Sequence, residues 1–232
     1  MLLQTTNLNI YYGDSHVVRD VTFSIPEGKI VCLMGRNGVG KTTVMKSLMG
    51  LLPTKSGRID FAGQDITTLR PYSRARSGIG YAPQGREIIP SLTVEENLLI
   101  GLEAKPKAPR VIPPRIFELF PVLKTMLGRR GGDLSGGQQQ QLSIGRALAA
   151  EPKLLLLDEP TEGIQPSIIK EIVHAIKRLK EQGGLSILVV EQFVSFVRGA
   201  GDYFYIMEKG AIAAEGPVPD LSDGLIKKHL AV

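Results

Sequence analysis

Hydrophobic and polar positions alternate from Leu8 to Tyr12 and again from Val17 to Ile25, and turn residues Gly13-Asp14 and Pro26-Glu27-Gly28 follow the two runs. The chain therefore opens as β structure. Lys29 to Met34 is almost wholly apolar and predicts a buried strand, followed by a glycine-rich stretch over 35 to 40 and a helical run from about Lys41 to Leu51, closed by Pro53. From Ser91 to Ala150 the period is helical, broken by the proline-rich, basic segment Lys105 to Pro114, which predicts a helical insertion with a solvated loop. Beyond it, Lys153 to Asp158 and Leu185 to Glu191 are short apolar runs of the buried parallel-strand kind. The amphipathic helix Pro166 to Gln182, ending at Gly183-Gly184, separates them, and Tyr203 to Ala214, turning near Lys209-Gly210, predicts a final hairpin. The alternation is that of an α/β fold, read as one domain over 1–232 with a helical subdomain at roughly 91–150.

Composition narrows this further. A chain of 232 residues with 43% hydrophobic residues can bury one substantial core. Its 28 Lys and Arg against 23 Asp and Glu leave a net charge of +5, but the cations are spread along the chain without interleaved aromatics, so nucleic acid is not the expected partner. The single cysteine, Cys32, sits inside an apolar run, which excludes a disulfide framework and a cysteine metal site and makes it a small buried hydrophobe. Met1 to Asn9 lacks the charged start and long apolar core of a signal peptide, and no apolar run is long enough to span a bilayer. A soluble cytoplasmic protein is the expectation.

The chemistry starts where the first buried strand ends. Gly35-Arg36-Asn37-Gly38-Val39-Gly40-Lys41-Thr42, with Thr43 next, fits G-x-x-x-x-G-K-[ST] at every fixed position and lies between a strand and a helix. Glycines there let backbone N–H groups converge on phosphate oxygens, Lys41 neutralises the terminal phosphates, and the Thr42 hydroxyl is a ligand for Mg²⁺. A second buried strand, Leu154 to Leu157, ends on Asp158 and Glu159, a costly place for carboxylates unless a cation is near. Asp158 is thus a candidate Mg²⁺ ligand and Glu159 a candidate for polarising an attacking water.

A third pattern, Leu134-Ser135-Gly136-Gly137-Gln138 ahead of a helical run to Ala150, explains Ser135 as an N-cap but leaves two glycines unexplained. A serine, two glycines and a helix N-terminus make a second anion site, which one chain holding one nucleotide uses only across an interface.

With these motifs the whole chain resembles the ABC ATPases, in which phosphate loop, glutamine loop, LSGGQ signature and Walker B follow in this order. The resemblance implies a phosphate-loop NTPase core of ABC type with an N-terminal antiparallel β subdomain and a helical insertion. It also implies transport-coupled hydrolysis of ATP with Mg²⁺, in a head-to-tail pair where each ATP lies between one chain's Lys41 loop and the partner's Ser135 to Gln138. Tyr12 matches the aromatic that stacks on adenine. Gln84, in Tyr81-Ala82-Pro83-Gln84-Gly85-Arg86-Glu87, matches the glutamine-loop residue that contacts Mg²⁺ or the attacking water. The expected partners are transmembrane permease subunits, a second ABC ATPase subunit and, indirectly, a periplasmic solute-binding protein, with the chain on the inner face of the cell membrane.

Pro83 to Ile88, Glu191-Gln192 and the short C-terminus resemble the importer branch for branched-chain amino acids and related amides, and Asp158 to Pro166 looks most like its urea-importing members. Two positions depart from the general family pattern. Gln192 stands where most members have a histidine facing the γ-phosphate, and Gln165 where they have an aspartate after Walker B. None of His16, His174 and His229 falls at the histidine's position. Gln192 donates a hydrogen bond but carries no charge at any pH; members of the branch it resembles pair with a second, different ATPase subunit, so the resemblance implies a heterodimer with unequal sites rather than a homodimer. A degenerate module that dimerises on ATP without turning it over is the alternative.

Overall fold

A computed structural model describes residues 1–107 and 109–230; Ala108, Ala231 and Val232 lie outside the described residues. The chain opens with a hairpin of β1 (Leu3–Tyr12) and β2 (Ser15–Ile25), then runs through β3 (Ile30–Gly35) into α1 (Lys41–Met49). Helix α1 is two residues shorter than its periodicity suggested, because Gly50 turns left-handed at φ 77 and closes the helix before Pro53 is reached. Next come β4 (Ser56–Phe61), the two-residue β5 (Gln64–Asp65), α2 (Pro71–Ser77) and β6 (Ile79–Ala82). Buried Arg74 of α2 donates to the carbonyls of Ser47 and Leu48 at 2.7 and 2.9 Å, so a cation caps the last turn of α1.

The helical stretch contains α3 (Val94–Gly101), α4 (Pro114–Leu119), α5 (Pro121–Thr125) and α6 (Gly136–Leu148). Of the loop expected at 105–114, residues 105–107 and 109–113 lack helix and strand, Pro114 begins α4, and Ala108 is outside the described residues. The chain closes with β7 (Leu154–Asp158), α7 (Pro166–Glu181), β8 (Ser186–Glu191), α8 (Val194–Ala200), the hairpin β9 (Tyr203–Glu208) and β10 (Ala211–Pro217), and α9 (Asp223–His229).

Two sheets result. The larger runs β10-β9-β3-β8-β7-β6, with every pair from β9 to β6 parallel and β10 antiparallel at its edge. The smaller is antiparallel in the order β2-β1-β4-β5. It is therefore not purely N-terminal, since two of its strands follow the phosphate loop in sequence. The period-two rule sorts the buried strands cleanly between layers. Val31 and Leu33 of β3, with Leu154, Leu156, Leu188 and Val190, face α1 and the small sheet. Ile30, Cys32 and Met34, with Leu155, Leu157, Ile187 and Val189, face α7, α8 and the helical insertion. Helix α7 meets that layer through Ile172, Ala175, Ile176 and Leu179, one stripe at helical spacing.

Candidate functional site

Because β3, β8, β7 and β6 are parallel neighbours, their carboxyl ends open on one edge of the sheet. Four loops leave that edge side by side, carrying Gly35 to Lys41, Gln192, Asp158-Glu159 and Gln84. A crevice outside the carboxyl ends of such strands is the usual ligand position in open α/β sheets.

The loop after β3 needs its glycines. A Cβ on Gly35 would lie 2.7 Å from the carbonyl oxygen of Met207, and Gly40 caps α1 with φ 106, a backbone that side-chain-bearing residues rarely adopt. Lys41, only 4% exposed, donates to the loop's own carbonyls of Gly35 and Arg36 at 2.9 and 3.0 Å. The ammonium is thereby held in the centre of the loop, 3.3 Å from Oε1 of Glu159.

Beside it, Thr42 Oγ1 donates to Asp158 Oδ1 at 3.1 Å, and the Tyr81 hydroxyl donates to Asp158 Oδ2 at 3.2 Å. Burial pushes the Asp158 carboxyl up to about 6, against the two hydrogen bonds that favour its charge. Among the described residues no cluster of three or more His, Cys, Asp or Glu could cage a metal. One carboxylate and one hydroxyl side by side, next to a phosphate loop, are instead the donor set that suits Mg²⁺, which keeps waters and shares substrate phosphates.

Glu159 is the meeting point. Its backbone has φ 47, a conformation that costs a non-glycine residue about 1 kcal/mol and that tertiary structure must hold. Its amide donates to Val190 O at 3.0 Å, and its carboxylate accepts from Gln192 Nε2 at 3.0 Å and from Gln84 Nε2 at 3.3 Å. Gln192 also donates to Asn37 Oδ1 at 2.6 Å, and Gln84 to Glu162 at 3.0 Å. A cavity of about 230 Å³ is lined by Asn37, Gly38, Gly40 to Thr43, Gln84 and Glu159. A larger one, about 730 Å³, lies across Arg36 to Val39 toward Arg19, Lys228 and His229. It reaches neither Lys41 nor Asp158 and Glu159, whereas the smaller cavity is lined by both Lys41 and Glu159.

Ser135 to Gln138 do not join this cavity. Ser135 and Gln138 form a capping box, the Ser135 amide donating to Gln138 Oε1 at 2.9 Å and the Gln138 amide to Ser135 Oγ at 3.4 Å, with Ser135 exposed. The same helix anchors the segment after Gln84: Ser143 Oγ donates to Arg86 O and Arg146 to Glu87 O, each at 2.7 Å. Gly85, Arg86 and Glu87 are all left-handed, at φ 76, 72 and 43. Tyr12, at the end of β1, is 47% exposed, while its neighbour Tyr11 stacks on His16 with ring centroids 4.2 Å apart.

Three further residues belong to the site. Tyr81 and Thr161 act through hydroxyls, whose partners no sequence pattern marks. Glu191 ends an apolar strand just as Asp158 does, and that pattern is visible in the sequence. Of the histidines, His229 is buried and pairs with Glu208 at 2.9 Å, His16 meets Asn9 at 2.8 Å, and His174 is exposed on α7. Cys32 is fully buried, and burial pushes its thiol far above the usual range.

The ABC transporter family model matches residues 18–162. A high-affinity branched-chain amino acid transport ATP-binding protein, BraG of Pseudomonas aeruginosa, is 39% identical over 91% of this chain and 91% of its own length. A probable branched-chain amino acid transport ATP-binding protein, LivF of Archaeoglobus fulgidus, is 36% identical over 95% of this chain and 94% of its own. Among solved structures, the dimeric MJ0796, a bacterial ABC transporter cassette, superposes with a TM-score of 0.83 at 26% identity, covering 93% of this chain and 98% of that one.

Proposed function

Since the chain belongs to the ABC transporter family, whose cassettes are ATPases coupled to transport, we propose that it drives an importer, with Glu159, Gln192 and Gln84 as its hydrolytic residues. The observation that carries this reading is the convergence of Lys41, Gln84 and Gln192 on the Glu159 carboxylate, all within 3.3 Å. In the reading, the backbone of Gly35 to Thr43 and the Lys41 ammonium hold the triphosphate. Thr42, Asp158 and Gln84 would hold Mg²⁺, which when bound would supply positive charge beside the phosphates. Glu159 accepts a proton from the attacking water, and Gln192 and Gln84 hold that carboxylate in place.

The reading also requires a second cassette. Ser135, Gly136, Gly137 and Gln138 stand apart from the chain's own phosphate loop, and the likeness to a dimeric cassette supports their use across an interface. We prefer a related ATPase subunit to a second copy, because Gln192 gives this chain's own site a neutral donor. Tyr12, exposed at a strand end, is assigned to the adenine. No described helix is long and apolar enough to cross a membrane; in this reading permease subunits supply the path and the chain is peripheral on the inner face. The alternative module that dimerises without turnover is not favoured, since Glu159 and its partners are all in place.

The names of the two relatives support branched-chain amino acids as cargo, while the Asp158 to Pro166 wording resembles that of urea importers. Removing the chain from its cell and measuring uptake of labelled urea and labelled leucine tests this. Urea uptake is expected to fall to background while leucine uptake persists; loss of leucine uptake alone would assign the branched-chain cargo instead.

Gln192 carries a prediction of its own. Neutral hydrogen bonds are roughly half as strong as charge-assisted ones, so the purified chain alone is expected to be a slow ATPase. Gln192→Ala should slow it by a further factor of about ten to a hundred, a transition-state loss of about 1.4 to 2.7 kcal/mol. Gln192→His should equal or exceed the wild type. Steady-state phosphate release at saturating Mg-ATP checks the series, with equal ATP affinity in all variants as the control. Wild-type turnover in Gln192→Ala would reduce the residue to packing.

A further inference from the structure

Glu191 ends β8 after four fully buried residues, Ile187 to Val190, and is itself 1% exposed. A carboxylate in such a place is expensive unless its oxygens are satisfied. No cation pairs with it among the described residues. Instead it accepts four hydrogen bonds, divided evenly. Oε1 takes the Thr161 amide at 3.2 Å and the Thr161 hydroxyl at 2.6 Å. Oε2 takes the amides of Gln192 and Phe193 at 3.0 and 3.3 Å.

The division matters because the two oxygens serve different loops. Thr161 lies two residues beyond Glu159 in the loop after β7, and is itself 2% exposed. Gln192 and Phe193 form the turn between β8 and α8. The spacing between the two oxygens of a carboxylate is fixed by covalent geometry. One buried group thereby sets the distance between the loop that carries Glu159 and the loop that carries Gln192. The Glu159 amide has its own anchor on Val190 O, but Thr161 and the Gln192 turn have no ladder partners, and Glu191 is what they share.

We propose that Glu191 is a positioning residue for hydrolysis, a buried clamp whose two oxygens hold the Thr161 loop and the Gln192 turn in register so that Gln192 Nε2 meets Glu159 Oε1. It touches neither nucleotide nor water and acts through those two residues. The proposal rests on the reading of Glu159 and Gln192 as hydrolytic residues. It explains how a neutral amide reaches a fixed place at the carboxylate without a charged side chain to draw it there. An amide at position 191 could not do the same, because its NH₂ would face N–H donors and only one oxygen would remain to accept.

The test compares Glu191→Gln, Glu191→Asp and Thr161→Val with the wild type and with Glu159→Gln. In Glu191→Gln, kcat is expected to fall by about tenfold to a hundredfold, the cost of a displacement on the order of 1 Å in a catalytic group, while KM and nucleotide affinity stay unchanged. Amide hydrogen exchange at Thr161, Gln192 and Phe193 should quicken together. Glu191→Asp, which keeps both oxygens, should recover part of the lost kcat. Thr161→Val should lower kcat less, and should add little when combined with Glu191→Gln, since both break the same link.

A Glu191→Gln variant with wild-type kcat overturns the proposal. So does one whose kcat, nucleotide affinity and thermal midpoint fall together with no recovery in Glu191→Asp, which is the signature of a fold residue. If Glu191→Gln fails to fold, Thr161→Val decides, and an unchanged kcat there is equally fatal. A Glu159→Gln control that turns over normally would defeat the catalytic reading instead. A silent Glu159→Gln beside a fully active Glu191→Gln would defeat the clamp alone.

Discussion

Lys41→Ala is expected to remove Mg-ATP binding at any nucleotide concentration practical for the assay. Among the described residues Lys41 is the one cation lining the small cavity, whose other lining groups are uncharged apart from Glu159. It is also preorganised. At 4% exposure, with its Nζ tethered to the Gly35 and Arg36 carbonyls, it has already lost its rotamer freedom and much of its hydration. Its charge therefore meets the phosphates at little further cost, and losing it should weaken binding by at least about a hundredfold, or about 2.7 kcal/mol. Calorimetric titration with Mg-ATP checks the loss. Lys41→Met separates charge from bulk, and should bind as poorly as the alanine variant. Undiminished affinity in either would remove the phosphate-loop assignment.

Glu159→Gln should do the opposite, keeping ATP and losing turnover. The amide retains the size of the side chain and an oxygen for Gln192 to donate to, but not the basic oxygen that accepts a proton from water. General-base catalysis contributes about 10² to 10⁴ in rate, so hydrolysis should fall by at least the lower of these. Because the nucleotide then survives, an ATP-bound pair of cassettes should accumulate, visible as a larger species by size-exclusion chromatography with light scattering. The left-handed backbone at this position should persist, since it is held by the Val190 carbonyl and not by the side chain. If Glu159→Gln hydrolysed ATP as fast as the wild type with the partner ATPase silenced, another group would be the base.

The parts of the molecule legible in the sequence are those where one physical demand dominates. Leu154 to Leu157 and Ile187 to Val190 are buried on both faces, so an unbroken apolar run was their only solution, and their positions fell within a residue of expectation. The phosphate loop was legible because its conformation needs glycine at fixed places. By contrast, β6 has four residues with burial on mixed terms, β5 has two, and α2 carries Pro71-Tyr72-Ser73-Arg74-Ala75-Arg76-Ser77, with no apolar stripe. Those elements are set by what packs on them, and periodicity had nothing to register. The same limit hid the small sheet's composition, because the pairing of β1 with β4 is a contact between distant segments.

The site divides the same way. A carboxylate closing a buried strand is legible in the sequence, and it marks Asp158 at the end of β7 and Glu191 at the end of β8 alike. Tyr81 and Thr161 were beyond its reach, since a hydroxyl in a loop announces nothing until its acceptor is in view. Ser135 and Gln138 show an ambiguity of another kind. Their capping box satisfies the helix by itself, and the second role proposed for them requires a partner.

That second role is the centre of the account, and phosphate release per cassette across a dilution series measures it most directly. The companion variant is Ser135→Asp, which keeps a good N-cap while setting a negative charge where a partner's phosphates would arrive. For the cassette alone or mixed with its partner ATPase, specific activity is expected to fall on dilution. Ser135→Asp is expected to lose turnover with its own Mg-ATP binding intact. Specific activity that stays constant on dilution and is indifferent to Ser135→Asp would contradict both expectations, and would mean that one chain hydrolyses ATP unaided.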